Sequence, residues 1–374
     1  LLSAASPARI EVSCRVWSRR LPAHGGAATR IGLPALIRLL GLVLALLVMI
    51  PAAHAERFDY RLEPRQIADG VYVLVGLKED FSFANGGNIV NTGFIVGPDG
   101  VIVIDTGSSP AQGRELAASA EKLAGRAVTH VVVTHAHFDH FFGLPGVVAA
   151  APGDVVGRDD HDRTPAPGVD TIGHENLASH LGQDDPDVAP EVIQADLGFD
   201  PSELVAPNTP ISLIKAVDLG DSRAEIVNLG HGHSDSDLFV IIPQSRVVFT
   251  GDMVETSNDP FVGPDSHVAT WPKAIDGVIS NAKADDLFIP GHGPVATADE
   301  VTNQRAAISM LWSTAEDCVK KGMSIEDVVA DLNGPREVEW SFTPQAVANA
   351  LPHLYAELAT AGVTKSRLLP LTQL

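Results

Sequence analysis

Residues 128–140 read VTHVVVTHAHFDH, an apolar strand that runs straight into three histidines and an aspartate within six positions. Few arrangements satisfy so many polar rings at the end of a buried strand. Alternate residues leaving a strand point the same way, so His135 and His137 converge on one point. The turn that follows lets Asp139 and His140 face the other side of the same pocket. Imidazole and carboxylate are the donors that zinc accepts at a catalytic site with one position left open. A single histidine is most simply a hydrogen-bonded core or surface residue, but this quartet predicts a metal site.

Three more apolar runs end the same way. Ile226–Leu229 leads into Gly230-His231-Gly232-His233, Val247–Phe249 into Thr250-Gly251-Asp252, and Leu287–Pro290 into Gly291-His292-Gly293. Glycine at each exit lets the backbone turn sharply beside a candidate ligand. Taken alone, Asp252 reads as a turn or cap residue. Beside the other strand ends it reads as a ligand. His231 and His233 are both chemically able to serve.

Charge narrows the partners. The chain carries 26 Lys and Arg against 47 Asp and Glu, a net charge of −21. Six of the arginines and one acid fall in residues 1–55, so residues 56–374 are more acidic still. Such a surface repels phosphate backbones and anionic lipid, which argues against nucleic-acid binding. Two cysteines, Cys14 and Cys318, are too few for a disulfide framework or a thiolate zinc site.

The first 55 residues read as a signal peptide. Leu39–Ile50 is an unbroken apolar run of a length suited to export rather than to spanning a bilayer, and Ala53-His54-Ala55 is a processing site. The expectation is a periplasmic or extracellular chain beginning at Glu56, with no stable membrane insertion after cleavage; a retained anchor is the alternative. Residues 56–374 read as one domain.

Within that domain, Val71–Val75, Ile89–Val96, Val101–Ile104, Val128–Val133, Ile211–Leu213, Ala224–Asn228, Leu238–Ile242, Val247–Thr250 and Leu287–Pro290 read as strands. Gly97-Pro98-Asp99-Gly100 is a hairpin turn. Helices are predicted over 110–123, with Ser108 or Ser109 as the cap, and from about 299 in three segments to 358. Residues 151–210, rich in Asp, Pro and Gly, read as an acidic insertion of loops and short helices. Alternating strands and helices predict an α/β fold of sheets covered by helices.

With these residues in hand, the sequence resembles the metallo-β-lactamase fold superfamily of metal-dependent hydrolases. The carriers are His135-Ala-His137-Phe-Asp139-His140, Ile104-Asp105-Thr106-Gly107, Gly232-His233, Thr250-Gly251-Asp252 and Pro290-Gly291-His292-Gly293, in the expected order over residues 70–295. The resemblance implies an αββα four-layer sandwich of two mixed β-sheets flanked by helices, with a dinuclear site at one edge. It implies two Zn2+ ions: the first on His135, His137 and His233, the second on Asp139, His140 and His292, with Asp252 between them. Asp105 matches an aspartate that orients the ligand loop, and Asp139 also orients the attacking water. The family usually follows its middle histidine with Thr-x-Gly, whereas Ser234-Asp235-Ser236 stands here.

Members with the bridging aspartate are generally thioesterases of the glyoxalase II type, lactonases or phosphodiesterases, and the β-lactamases generally lack it. Asn85-Gly86-Gly87-Asn88 and Asn91-Thr92-Gly93-Phe94 are also similar to exported members linked to quinoprotein systems. The resemblance thus implies an exported dinuclear zinc hydrolase of a small-molecule ester, thioester or lactone. Iron-dependent oxidation of a sulfur compound, β-lactam hydrolysis and non-catalytic metal binding are the alternatives.

Overall fold

The structure is a computed structural model that describes residues 58–82, 84–150, 168–181 and 204–366. Residues 1–55, on which the export reading rests and which include Cys14, lie outside the described residues. No helix among the described residues is long and apolar enough to cross a membrane.

Thirteen strands are described, in two sheets. The first runs β1 (Arg65–Ala68), β2 (Val71–Leu74), β3 (Thr92–Gly97), β4 (Gly100–Ile104), β5 (Val128–Val132), β6 (Asp170–His174) and β7 (Thr209–Ile211), side by side in chain order. β1 to β4 are antiparallel, while β4 to β7 are parallel. The β3–β4 turn falls at the predicted place, with Gly97 opposite Gly100. The second sheet is formed by β8 (Ile214–Asp218), β9 (Arg223–Val227), β10 (Phe239–Ile242), β11 (Val247–Glu255), β12 (Leu287–His292) and β13 (Ala296–Thr297), in the order β13-β12-β11-β10-β9-β8. Only β11 and β12 are parallel there.

Seven α-helices are described: α1 (Pro110–Ala124), α2 (Phe138–Phe141), α3 (Leu144–Ala150), α4 (Trp271–Ile279), α5 (Ala298–Lys321), α6 (Ile325–Leu332) and α7 (Pro344–Thr360). Ser109 caps α1 by accepting from Gln112 N, with Pro110 opening the helix and Gly125 closing it in the left-handed region. Thr297 and Glu300 form a capping box at the head of α5.

Strand alternation explains the layering. Ile102 and Ile104 of β4 join Ile226, Val240 and Phe249 in the core between the sheets. Val101 and Val103 of the same strand face Leu116, Leu144 and Val147 under α1 and α3. Phe239, Val248 and Phe288 pack outward against Trp271, Leu311 and Leu354 of the other helices. Central strands buried on both faces therefore read as unbroken apolar runs. The outcome is an α/β sandwich of two mixed sheets flanked by helices, as expected.

Of the insertion expected over 151–210, residues 151–167 and 182–203 lie outside the described residues, and the described part differs from expectation. Asp170–His174 within it is β6, hydrogen-bonded to β5, and is followed by a 3₁₀ helix, Glu175–Leu181. Its sequence, DTIGH, carries one large apolar residue, so pairing with an existing sheet rather than local propensity makes it a strand. The run read as one strand at Ile211–Leu213 is instead the junction where the chain leaves β7 and enters β8 of the other sheet.

α1 and α3 meet backbone to backbone. A Cβ on Gly113 would lie 2.0 Å from the Gly143 carbonyl oxygen. Alanine there gains about 1 kcal/mol of helix propensity but forces the helices apart, at a cost of about 1–3 kcal/mol or more. Gly113→Ala is expected to lower the urea midpoint, and because Gly143 lies three residues after His140, to weaken metal retention too.

Candidate metal centre

Asp105 and His135 leave the ends of the parallel neighbours β4 and β5, so they arrive at the same edge. Asp105 adopts φ 54° and accepts from Thr134 N at 2.8 Å and Thr134 Oγ1 at 2.9 Å. Its Oδ2 also takes His140 Nδ1 at 2.8 Å, turning His140 Nε2 inward. The loop therefore holds its shape through one buried carboxylate.

The second sheet supplies the remaining side chains. His233 sits in a loop whose Gly232 N and Ser234 N and Oγ all donate to Asp237, in place of the family's usual Thr-x-Gly. Burial outweighs those donors and pushes Asp237 up to about 7. Asp252 lies on β11 beside Gly291, where a Cβ would fall 1.6 Å from Asp252 Oδ1. His292 ends β12, with Nδ1 against the Ile89 carbonyl at 3.0 Å. Asn91 Nδ2 donates to the carbonyls of Pro290 and Gly293, each at 2.8 Å, and so ties the first sheet to the His292 turn.

These elements bring all seven candidate ligands together. His135, His137, His233 and Asp252 offer atoms within 4.8 Å of one another, and Asp139, His140 and His292 do likewise. Asp252 touches both groups. Its Oδ2 lies 3.7 Å from His135 Nε2, 3.5 Å from His233 Nε2 and 3.4 Å from His292 Nε2, and its Oδ1 lies 3.2 Å from His140 Nε2. Ligands bound at about 2.0–2.1 Å around a tetrahedral ion stand about 3.4 Å apart. His135 Nε2, His140 Nε2 and Asp252 Oδ1 are buried without a hydrogen-bond partner. Orphaned polar atoms of this kind are costly in a core and are expected only where another partner completes them. Donor set, spacing and orphaned atoms together fit two small divalent cations.

Electrostatics tell the same story without the ions. Burial works against His292, but Asp252 and Asp139 outweigh it and raise the ring to about 12. His137 is likewise raised to about 9 by Asp265, Asp252 and Asp139, and His140 stands well above its usual value. His135 and His233 go the other way, His233 to about 4, through burial and their cationic neighbours. Metal loading must displace the protons on His137, His140 and His292. Zinc added to metal-free protein at pH 7 is expected to acidify an unbuffered solution, and apparent affinity to rise with pH towards about 9. A pH-independent affinity between 6 and 9 would contradict this.

One contributor was not legible in the sequence. Asp265 Oδ2 lies 3.2 Å from His137 Nε2, fixing the ring so that Nδ1 faces His233 Nε2 at 2.8 Å. In Gly263-Pro264-Asp265-Ser266 it reads as a turn residue. Asp265→Ala is expected to leave the fold intact and to weaken metal binding by about 10–100-fold, measured by chelator competition.

Comparison with known proteins gives the same family. A family model for the metallo-beta-lactamase superfamily matches residues 85–299. A metallo-beta-lactamase type 2 from Bacillus sp. (strain 170) is 22% identical over 224 residues, 59% of this chain and 74% of that protein. Among solved structures, a metallo-beta-lactamase from Pontibacter korlensis matches with a TM-score of 0.50 and 18% identity, over 66% of this chain and 99% of that one. The stereoselective inverting sec-alkylsulfatase Pisa1 from Pseudomonas sp. matches with a TM-score of 0.56 and 19% identity, over 79% of this chain and 50% of that one. At those identities the structures speak for the fold alone. Taken with the two mixed sheets and the His-Asp edge, the match over residues 85–299 shows that the chain belongs to the metallo-beta-lactamase superfamily.

Proposed function

We propose that the chain is a dinuclear zinc hydrolase acting on an uncharged ester, thioester or lactone. The observation that carries this is Asp252, within 3.2–3.7 Å of ligand atoms from both groups. His135, His137 and His233 would hold one ion, Asp139, His140 and His292 the other, with Asp252 shared. Bound there, zinc ions polarise a carbonyl oxygen and supply an activated water at neutral pH. Asp139, whose Oδ2 lies 3.1 Å from His292 Nε2, would help to orient that water.

The surroundings favour a substrate without charge. Residues 133–143, 173–181, 230–237, 252–268 and 290–297 contain no Lys or Arg. Carboxylate-bearing β-lactams and sulfate esters would find no basic side chain in these segments. Phe261, 52% exposed and 6.4 Å from the His233 ring, and Phe138, against Phe81 at 5.6 Å, offer apolar contact. The reading includes export, on the strength of Leu39–Ile50 and Ala53-His54-Ala55; amino-terminal sequencing of the exported chain is expected to begin at Glu56.

The test is elemental analysis of the purified chain with a panel of neutral esters, thioesters, lactones, β-lactams and sulfate esters. Two zinc equivalents and turnover of a neutral substrate are expected. Bound iron, absence of metal, or unchanged turnover in His135→Ala would overturn the reading.

A further inference from the structure

Three histidines beside the metal centre take no part in holding it. His174 ends β6 and is 5% exposed; His231 precedes His233 by two residues; His267 follows Asp265 by two. The rings of His174 and His231 are 5.7 Å apart, and those of His231 and His267 5.3 Å. The row is anchored to the centre and to the sheet edge at once. His267 N donates to the Gly232 carbonyl at 2.8 Å, while Asp265 holds His137. On the far side, Asn176 Nδ2 donates to the Asp235 carbonyl, and His180 Nε2 meets Asp235 Oδ1, each at 2.8 Å. The 3₁₀ helix after β6 is thereby fixed onto the loop that carries His233.

Tautomer decides what the row can bind. Asn176 N donates to His174 Nδ1 at 3.2 Å, so that nitrogen is the acceptor and the proton sits on Nε2. Burial and the neighbouring His231 lower the His174 pKa, which keeps the ring neutral. Its one lone pair is already engaged, so it offers a donor and not a metal ligand. His231 Nδ1 is buried and has no hydrogen-bond partner among the described residues, which leaves one polar atom of the row to be satisfied. Negative charge faces the row from Glu175 and Asp235, and the segments that build it contain no Lys or Arg. An anion is disfavoured there, while an uncharged oxygen matches the fixed donor.

We propose that His174, with His231 and His267, forms a subsite that donates a hydrogen bond to an uncharged oxygen of the substrate outside the reacting bond. The substrate class is thereby narrowed to neutral esters or lactones bearing a hydroxyl, ether or keto oxygen. This rests on the hydrolase reading above.

The test uses the metal-loaded chain with matched lactones carrying a hydroxyl, a plain alkyl group or a carboxylate. In wild type the hydroxylated lactone is expected to have the highest kcat/KM. Its preference over the alkyl lactone, taken as a ratio within each protein, is expected to fall about tenfold in His174→Phe, the loss of one hydrogen bond. His231→Phe, at a less buried position, repeats the measurement should His174→Phe fail to fold. An unchanged ratio overturns the subsite while leaving the hydrolase reading intact. So does a third metal equivalent in wild type that is lost in His231→Phe, which would make the row a cation site. A preference for the carboxylate overturns both the subsite and the uncharged-substrate part of that reading, leaving only the metal-dependent hydrolysis. Should wild type turn over none of the lactones, the 15N resonance of His174 Nε2 decides. A shift on adding the hydroxylated compound and not the alkyl one upholds the subsite, and no shift overturns it.

Discussion

Asp252→Ala is expected to yield a folded chain that keeps at most one metal ion and hydrolyses its substrate about a thousandfold more slowly. The magnitude follows from losing roughly 4 kcal/mol of transition-state stabilisation, at 1.36 kcal/mol per tenfold. Among the described residues, Asp252 is the one carboxylate with ligand-atom contacts in both groups, touching His135, His140, His233 and His292. Burial works to raise its pKa, yet His292 and His140 hold it well below the usual carboxylate range, so it is an anion at any working pH. Without it, Asp139 is the only anion left among the seven, and five imidazoles crowd a site with little to balance a second dication. Asp252→Asn keeps the shape and loses the charge, which separates the two contributions. Elemental analysis alongside kcat/KM reads the result; two retained equivalents with activity within tenfold of wild type would count against the bridging role.

The second large effect is structural in origin. Asp105→Ala removes the acceptor shared by three buried donors, Thr134 N, Thr134 Oγ1 and His140 Nδ1; it leaves Thr134 N without a partner and the other two with only the longer contacts between Thr134 Oγ1 and the rings of His135 and His140. Each unsatisfied group costs about 1–3 kcal/mol. Alanine also resists the positive φ that Asp105 adopts, adding about 1–2 kcal/mol. A loss of about 4 kcal/mol in unfolding free energy is expected even in metal-free protein, measured by urea denaturation. Metal affinity at the Asp139, His140 and His292 group is expected to fall by about 10–100-fold as well, because His140 loses its anchor. An unchanged urea midpoint would show that the carboxylate is dispensable to the loop.

The parts legible in the sequence are those where one local pattern reports on a long-range arrangement. β4 and β5 are buried on both faces, so their apolar runs stand out, and ligands that sit at strand exits inherit the strand's visibility. β1, RQIA, is an exposed edge strand with little apolar content and gave no signal. α4 gives little signal because Gly277 falls inside a nine-residue segment too short to be stable alone; it is placed by the burial of Trp271 and Ile275 rather than by propensity. Asp265 and His137 are 128 residues apart, and no spacing rule connects a turn aspartate to a ring across the fold. The row formed by His174, His231 and His267 was illegible for the same reason, since two of its members flank segments whose turns looked complete in themselves.

The order of the donors along the chain carries a consequence for assembly. Four of them precede residue 141 and three follow residue 232, on opposite sides of the seam that Asn91 fastens. A nascent chain cannot grip both ions until the two sheets have docked, so cation capture comes after folding instead of seeding it. Once seated, the pair acts as a rivet through that seam. Chelation is therefore expected to loosen the join between the halves before it melts either one, and protease cutting near residues 84–92 or 290–297 would be its earliest sign.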